Sequence, residues 1–119
     1  MELAEVAFFT DDVPALVEFY RRLLDSDPVD ASDGTATFLA GGTRVFIHAT
    51  YVPGEGELVP EDHIAFTVDD VDATCEALRE QGVEVQVGPR DFYWGRSAYL
   101  RAPNGKLIEL AQKREEGGA

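Results

Sequence analysis

In 119 residues the chain carries one cysteine, two histidines and two lysines, Lys106 and Lys113. The one cysteine, Cys75, excludes an intrachain disulfide and fits a reducing compartment. No apolar stretch is long enough to cross a bilayer, so no membrane span is expected. The opening MELAEVAFF has no basic stretch ahead of its short apolar run. No secretory signal is therefore expected, and the default location is the cytoplasm. Positive charge is scarce: 10 Lys and Arg stand against 23 Asp and Glu, a formal net of −13 with a pI near 4.3. Such a surface repels phosphate backbones and anionic membranes, which argues against nucleic acid and membrane as partners. The same balance suits a halophilic cytoplasm, where salt screens self-repulsion.

What is present is a repeat. Residues 5–13 read EVAFFTDDV and residues 63–71 read HIAFTVDDV. At this offset of 58 residues Ala7/Ala65, Phe8/Phe66, Asp11/Asp69, Asp12/Asp70, Val13/Val71, Ala15/Ala73, Glu18/Glu76 and Arg21/Arg79 are identical. The length and a hydrophobic content of 45% suit a single domain with its own core. Within it, module one spans about 3–50, a linker 51–60 and module two about 61–112, with a tail at 113–119 expected to fray. The linker, YVPGEGELVP, has two prolines, two glycines and no helical period.

Each module is expected to run strand, helix, strand, strand, strand. In module one these are a strand at 3–10, a helix capped by Asp12 and ending near Asp25, and strands at about 28–31, 35–40 and 43–50. In module two they are a strand at 62–68, a helix at about 71–81 capped by Asp69 or Asp70, and strands at about 83–88, 96–101 and 106–112. Gly82 stands where a left-handed residue would end the helix. Residues 89–95, PRDFYWG, read as a loop. Cys75 reads as helix core and Tyr20 as packing.

Period-2 alternation divides the strands into two faces. Val6 with Phe8, Ile64 with Phe66 and Val68, Val45 with Ile47, and Ile108 with Leu110 form aliphatic sets that should pack beneath a helix. The opposite phase carries Glu5, His63, His48 and Glu109. Two His and two Glu on that face are a candidate ligand set for zinc, iron, nickel, manganese or cobalt. In an octahedral shell they would leave two adjacent positions for water or a bidentate substrate. One carboxylate, Glu5 or Glu109, could also act as general base. Arg44, Phe46, Tyr99 and Arg101 share the ligand phase. The arginines read either as surface residues or as anchors for an anionic substrate. Tyr99 reads as core or as part of the site. Phe92, Tyr93 and Trp94 read as a lid over an apolar substrate group, a hydrophobic plug or a dimer contact.

The doubled βαβββ pattern, the strand-DD-helix phrase, FYRRLL at 19–24, WGR at 94–96 and APNGKLIEL at 102–110 resemble the vicinal oxygen chelate superfamily of glyoxalases, bleomycin-resistance proteins and extradiol dioxygenases. The resemblance implies an α+β fold in which the two modules form a cupped mixed sheet with helices on its outer face. It also implies a divalent metal in the cup and, commonly, a homodimer. Glu5 and His63 fall at the superfamily's first-strand ligand positions, His48 and Glu109 at its last-strand positions. The order Glu, His, His, Glu departs from the His-or-Gln, Glu, His, Glu of glyoxalase I. The function implied is a metal-dependent enzyme acting on a small oxygen-rich metabolite by isomerase, epimerase or lyase chemistry. The alternatives are a drug- or metabolite-binding protein of bleomycin-resistance type and an extradiol-type dioxygenase.

Overall fold

The structure, a computed structural model, describes residues 1–113; the tail expected to fray lies outside them from residue 114. The described chain forms two compact units, Ala4–His63 and Ile64 onward together with Met1–Leu3. Both have the strand, helix, strand, strand, strand order anticipated for the modules, and the class is α+β.

The first unit contains β1 (Glu2–Thr10, whose first two residues group with the other unit), α1 (Val13–Leu24), β2 (Asp30–Ala31), β3 (Thr35–Ala40) and β4 (Thr43–Ala49). Its strands lie in the order β2-β3-β4-β1. β4 runs parallel to β1 and antiparallel to β3, so the sheet is mixed. The Asp12 carboxylate accepts the Ala15 N–H at 3.1 Å and caps α1, with Pro14 in the first turn. The helix ends at Asp25, which adopts the left-handed conformation with φ 50°. Val6, Phe8, Val45 and Ile47 pack with Phe38, Val13 and Leu16, so the aliphatic phase of β1 and β4 does face the helix.

The second unit contains β5 (His63–Val68), α2 (Val71–Glu80), β6 (Glu84–Phe92), β7 (Gly95–Arg101) and β8 (Leu107–Gln112), with strand order β5-β8-β7-β6. Asp70 rather than Asp69 caps α2, accepting the Ala73 N–H at 3.1 Å. Gly82 follows the helix at φ 86°, a conformation that penalises any side chain. Phe66, Val68, Ile108 and Leu110 pack with Val71 and Cys75 of α2. Cys75 is buried as core, and burial is the main cause holding its thiol above its ordinary pKa.

The reading of 89–95 as a loop is corrected. β6 continues to Phe92, and a turn at Tyr93-Trp94 leads directly into β7. Pro89 is accommodated because β6 is the last strand in its order and its ladder is irregular, shifting register between Val85 and Val87 and again between Val87 and Arg90. Proline, lacking an N–H, is tolerated at such edges and bulges.

Candidate functional site

In the first unit the ligand phase of β1 and β4 is set by their register: Glu5 lies beside Arg44, Ala7 beside Phe46 and Phe9 beside His48. Paired residues on neighbouring strands project to the same face, here the face opposite the α1 core. Arg44 Nε donates to Glu5 Oε1 at 3.1 Å. The guanidinium is half exposed, so the pair adds about 0–1 kcal/mol, but it engages the carboxylate. Phe9 organises the rest. Its ring lies 5.4 Å from His48, 6.2 Å from His63 and 6.3 Å from Tyr51 between centroids. Phe46 and Tyr51 flank His48 at 5.8 and 6.0 Å. The Phe9 N–H is anchored by Asp62 Oδ1 at 2.8 Å, next to His63 in the chain.

Both histidines have their rings oriented by the backbone. His48 Nδ1 lies 2.6 Å from the Ala49 carbonyl and His63 Nδ1 lies 2.8 Å from the Glu61 carbonyl. A carbonyl oxygen only accepts, so each Nδ1 carries the hydrogen. In the neutral ring this makes Nε2 the lone-pair atom. Metal-ligating histidines are commonly prepared in this way, with the second ring nitrogen donating to a carbonyl or carboxylate. Tyr51 also acts as a donor, its hydroxyl bonding the Leu58 carbonyl at 2.6 Å. Burial first, and the Glu57 carboxylate second, hold its phenol above the ordinary value.

In the second unit Glu109 lies on β8 opposite Tyr99 of β7 and is only 6% exposed. Its Oε2 accepts a hydrogen bond from Ser97 Oγ at 2.9 Å, and Ser97 Oγ accepts one from Trp94 Nε1 at 3.1 Å. Trp94 is stacked on Phe92, centroids 4.4 Å apart and planes within 5°, and Phe92 meets Tyr99 edge-on at 6.1 Å. Arg101 is occupied near the neighbouring turn, donating to Gln86 Oε1 at 2.8 Å and to the Gly105 carbonyl at 2.9 Å.

Sequence reasoning therefore placed Glu5, Arg44, Phe46 and His48 on one face of one unit, and Tyr99 and Glu109 on one face of the other. Ser97 escaped it, although it shares the phase of Tyr99 and Arg101 on β7. The alternation of 97, 99 and 101 carried that signal.

The donor chemistry tests the expected divalent ion. The two imidazoles fit, and so does the buried, hydrogen-bonded carboxylate of Glu109. Glu5 fits less well because Arg44 competes for its oxygen. Among the described residues, no group of three or more His, Cys, Asp or Glu side chains is gathered as a metal centre.

Residues 2–110 match the family described as the Glyoxalase/Bleomycin resistance protein/Dioxygenase superfamily. The chain belongs to this superfamily. A probable lactoylglutathione lyase of Vibrio parahaemolyticus is 38% identical over 117 residues, covering 87% of this chain and 85% of that protein. The metallothiol transferase FosB of Shouchella clausii is 27% identical over 110 residues, covering 88% of this chain and 75% of the transferase. Among solved structures, Streptomyces coelicolor methylmalonyl-CoA epimerase in complex with 2-nitronate-propionyl-CoA shares the fold with a TM-score of 0.67 at 24% identity, over 97% of this chain and 99% of that one. Superfamily membership agrees with the resemblance drawn from the repeat and from the APNGKLIEL segment.

Proposed function

We propose that this superfamily member is a metal-dependent enzyme acting on a small oxygen-rich metabolite, by isomerase, epimerase or lyase chemistry. The observation that carries the reading is the matched preparation of His48 and His63, each donating Nδ1–H to a backbone carbonyl. The similarity to a probable lactoylglutathione lyase supports the lyase option. In this reading His48, His63 and Glu109, with Glu5, hold one divalent ion of zinc, nickel, iron, manganese or cobalt. When bound, such an ion polarises a substrate oxygen.

The remaining work belongs to the chain. Glu109 or Glu5 serves as the base that accepts a substrate proton. The two differ in setting: Glu109 is buried and hydrogen-bonded to a hydroxyl, whereas Glu5 is held by a half-exposed guanidinium. Arg44 is placed to exchange Glu5 for an anionic substrate group, since a guanidinium can hold a carboxylate or phosphate through two parallel bonds. Phe46, Trp94, Tyr99 and Arg101 complete the proposed substrate contacts, and the working unit is a homodimer in a cytoplasmic setting.

Metal analysis of the purified protein tests this reading, with His63→Ala alongside. Stoichiometric metal in the wild type and a large loss in the variant are expected. Metal retained unchanged by the variant overturns it.

A second reading has its own support. The Glu5–Arg44 pair is complete without an ion, and Phe9, Phe46 and Tyr51 surround His48 with apolar rings. A binding protein that sequesters a small molecule would need no more. Tight ligand binding by metal-free protein, with no product formed, would favour it.

A further inference from the structure

We infer that Ser97 is a positioning residue for Glu109, held in place by Trp94, and that this three-residue relay fixes the direction in which the Glu109 carboxylate presents its second oxygen. The inference deepens the metal-enzyme reading and rests on it.

Ser97 is a polar side chain with 0% exposure, fixed on both sides. Its oxygen receives the indole N–H of Trp94 at 3.1 Å. That contact uses an acceptor lone pair and leaves the hydroxyl hydrogen for Glu109 Oε2 at 2.9 Å. A carboxylate turns broadly about its last torsion unless something holds it. The bond from Ser97 to Oε2 restricts that torsion and so narrows the bearing of Oε1. Ligand and base roles both require such a bearing.

The relay has a rigid foundation. Trp94 sits in the two-residue turn between β6 and β7 and stacks flat on Phe92, which has the Arg90 guanidinium 4.5 Å above its ring. Two residues on, Arg96 clamps the hairpin to the first turn of α2: its Nε and Nη2 meet the two Asp72 oxygens at 2.7 and 2.8 Å, and its Nη1 meets Asp91 at 3.0 Å. A bidentate guanidinium–carboxylate pair fixes angle as well as distance. Helix, hairpin, indole, hydroxyl and carboxylate thus form one continuous path. A buried serine hydroxyl needs hydrogen-bond partners in any case. Here the two bonds point in sequence toward one of the proposed ligands.

Trp94 is the sole tryptophan of the chain, so its emission reports on the relay directly. The test titrates metal-free protein with cobalt(II), following the visible ligand-field band and the Trp94 emission. Ser97→Ala removes the donor with almost no change in volume. The expected result is a cobalt dissociation constant raised about ten- to hundredfold, as for other residues that orient a ligand. A shifted Trp94 emission in the metal-free variant is expected too. Trp94→Phe keeps the ring stack but removes the N–H, and should raise the constant by a smaller factor. The titrations are made well below the melting temperature of each variant, so a merely structural serine would lower that temperature and leave the constant alone. Wild-type protein that binds cobalt as tightly as folded Ser97→Ala overturns the positioning role while the metal reading stands. Wild-type protein with no cobalt band overturns both.

Discussion

At the scale of single residues, the conformation of Asp25 is the clearest departure from what its side chain favours. It is the one non-glycine residue with positive φ among the described residues, and it places a negative charge at the end of α1, where the helix dipole is also negative. Asp25→Gly should therefore stabilise the protein by about 1 kcal/mol, raising the thermal midpoint by a few degrees. Calorimetry of the two proteins checks this, and a lowered midpoint would mean that the Asp25 side chain supplies more than its backbone strain removes. That α1 stops at this residue was legible from Asp27-Pro28, because the residue before a proline avoids the helical region. Ser97 was not legible. Hydrophobic periodicity weights the apolar phase of a strand, and a small polar residue in the opposite phase looks like any solvated position until its partners are seen.

At the scale of elements, the caps were the most readable feature. Asp12 and Asp70 stand at equivalent places in the repeat, and each accepts an N–H three residues on at the same 3.1 Å. The β6–β7 hairpin was the least readable. Pro89 and Gly88 punctuate the sequence like a loop, and only the position of β6 at the end of its strand order lets them lie in a strand. Asp72 and Arg96, 24 residues apart, then join this hairpin to α2. The hydrogen bonds from Arg96 are the main cause holding the Asp72 carboxyl below its ordinary value of 3.8, and the same contacts raise the Arg96 pKa, so the guanidinium stays charged. The sign of the linkage follows. A lowered carboxyl contributes stability above its unfolded value and loses it as pH falls through the folded value. The difference in melting temperature between wild type and Asp72→Asn should thus be constant near neutrality and shrink in acid below about pH 3.8. A difference that stays constant into strong acid would assign it to something other than the ion pair.

At the scale of the molecule, the architecture was readable because it is stated twice, and Val6, Phe8, Val45 and Ile47 fall in one core and Phe66, Val68, Ile108 and Leu110 in the other, as expected. The four-residue ligand set was read from alternation and the superfamily resemblance. Alternation assigns a side chain to a face of a strand but does not say which neighbour will claim it, and Arg44 claims Glu5. The net charge of −13 makes its own prediction. If this surface evolved for a salty cytoplasm, melting temperature should rise by several degrees from dilute buffer to molar potassium chloride, as repulsion is screened within a few ångströms. No rise would count against a halophilic origin of this charge. The parallel pairing of β1 with β4 has a further consequence during synthesis. β1 leaves the ribosome well before β4 and must wait for residues 43–49 before its ladder in this unit can close, and the intervening helix and hairpin bridge that delay. A nascent chain halted before β4 would hold Val6 and Phe8 without the strand that completes their packing, so the first half should acquire protease resistance in one step, only after His48 has emerged.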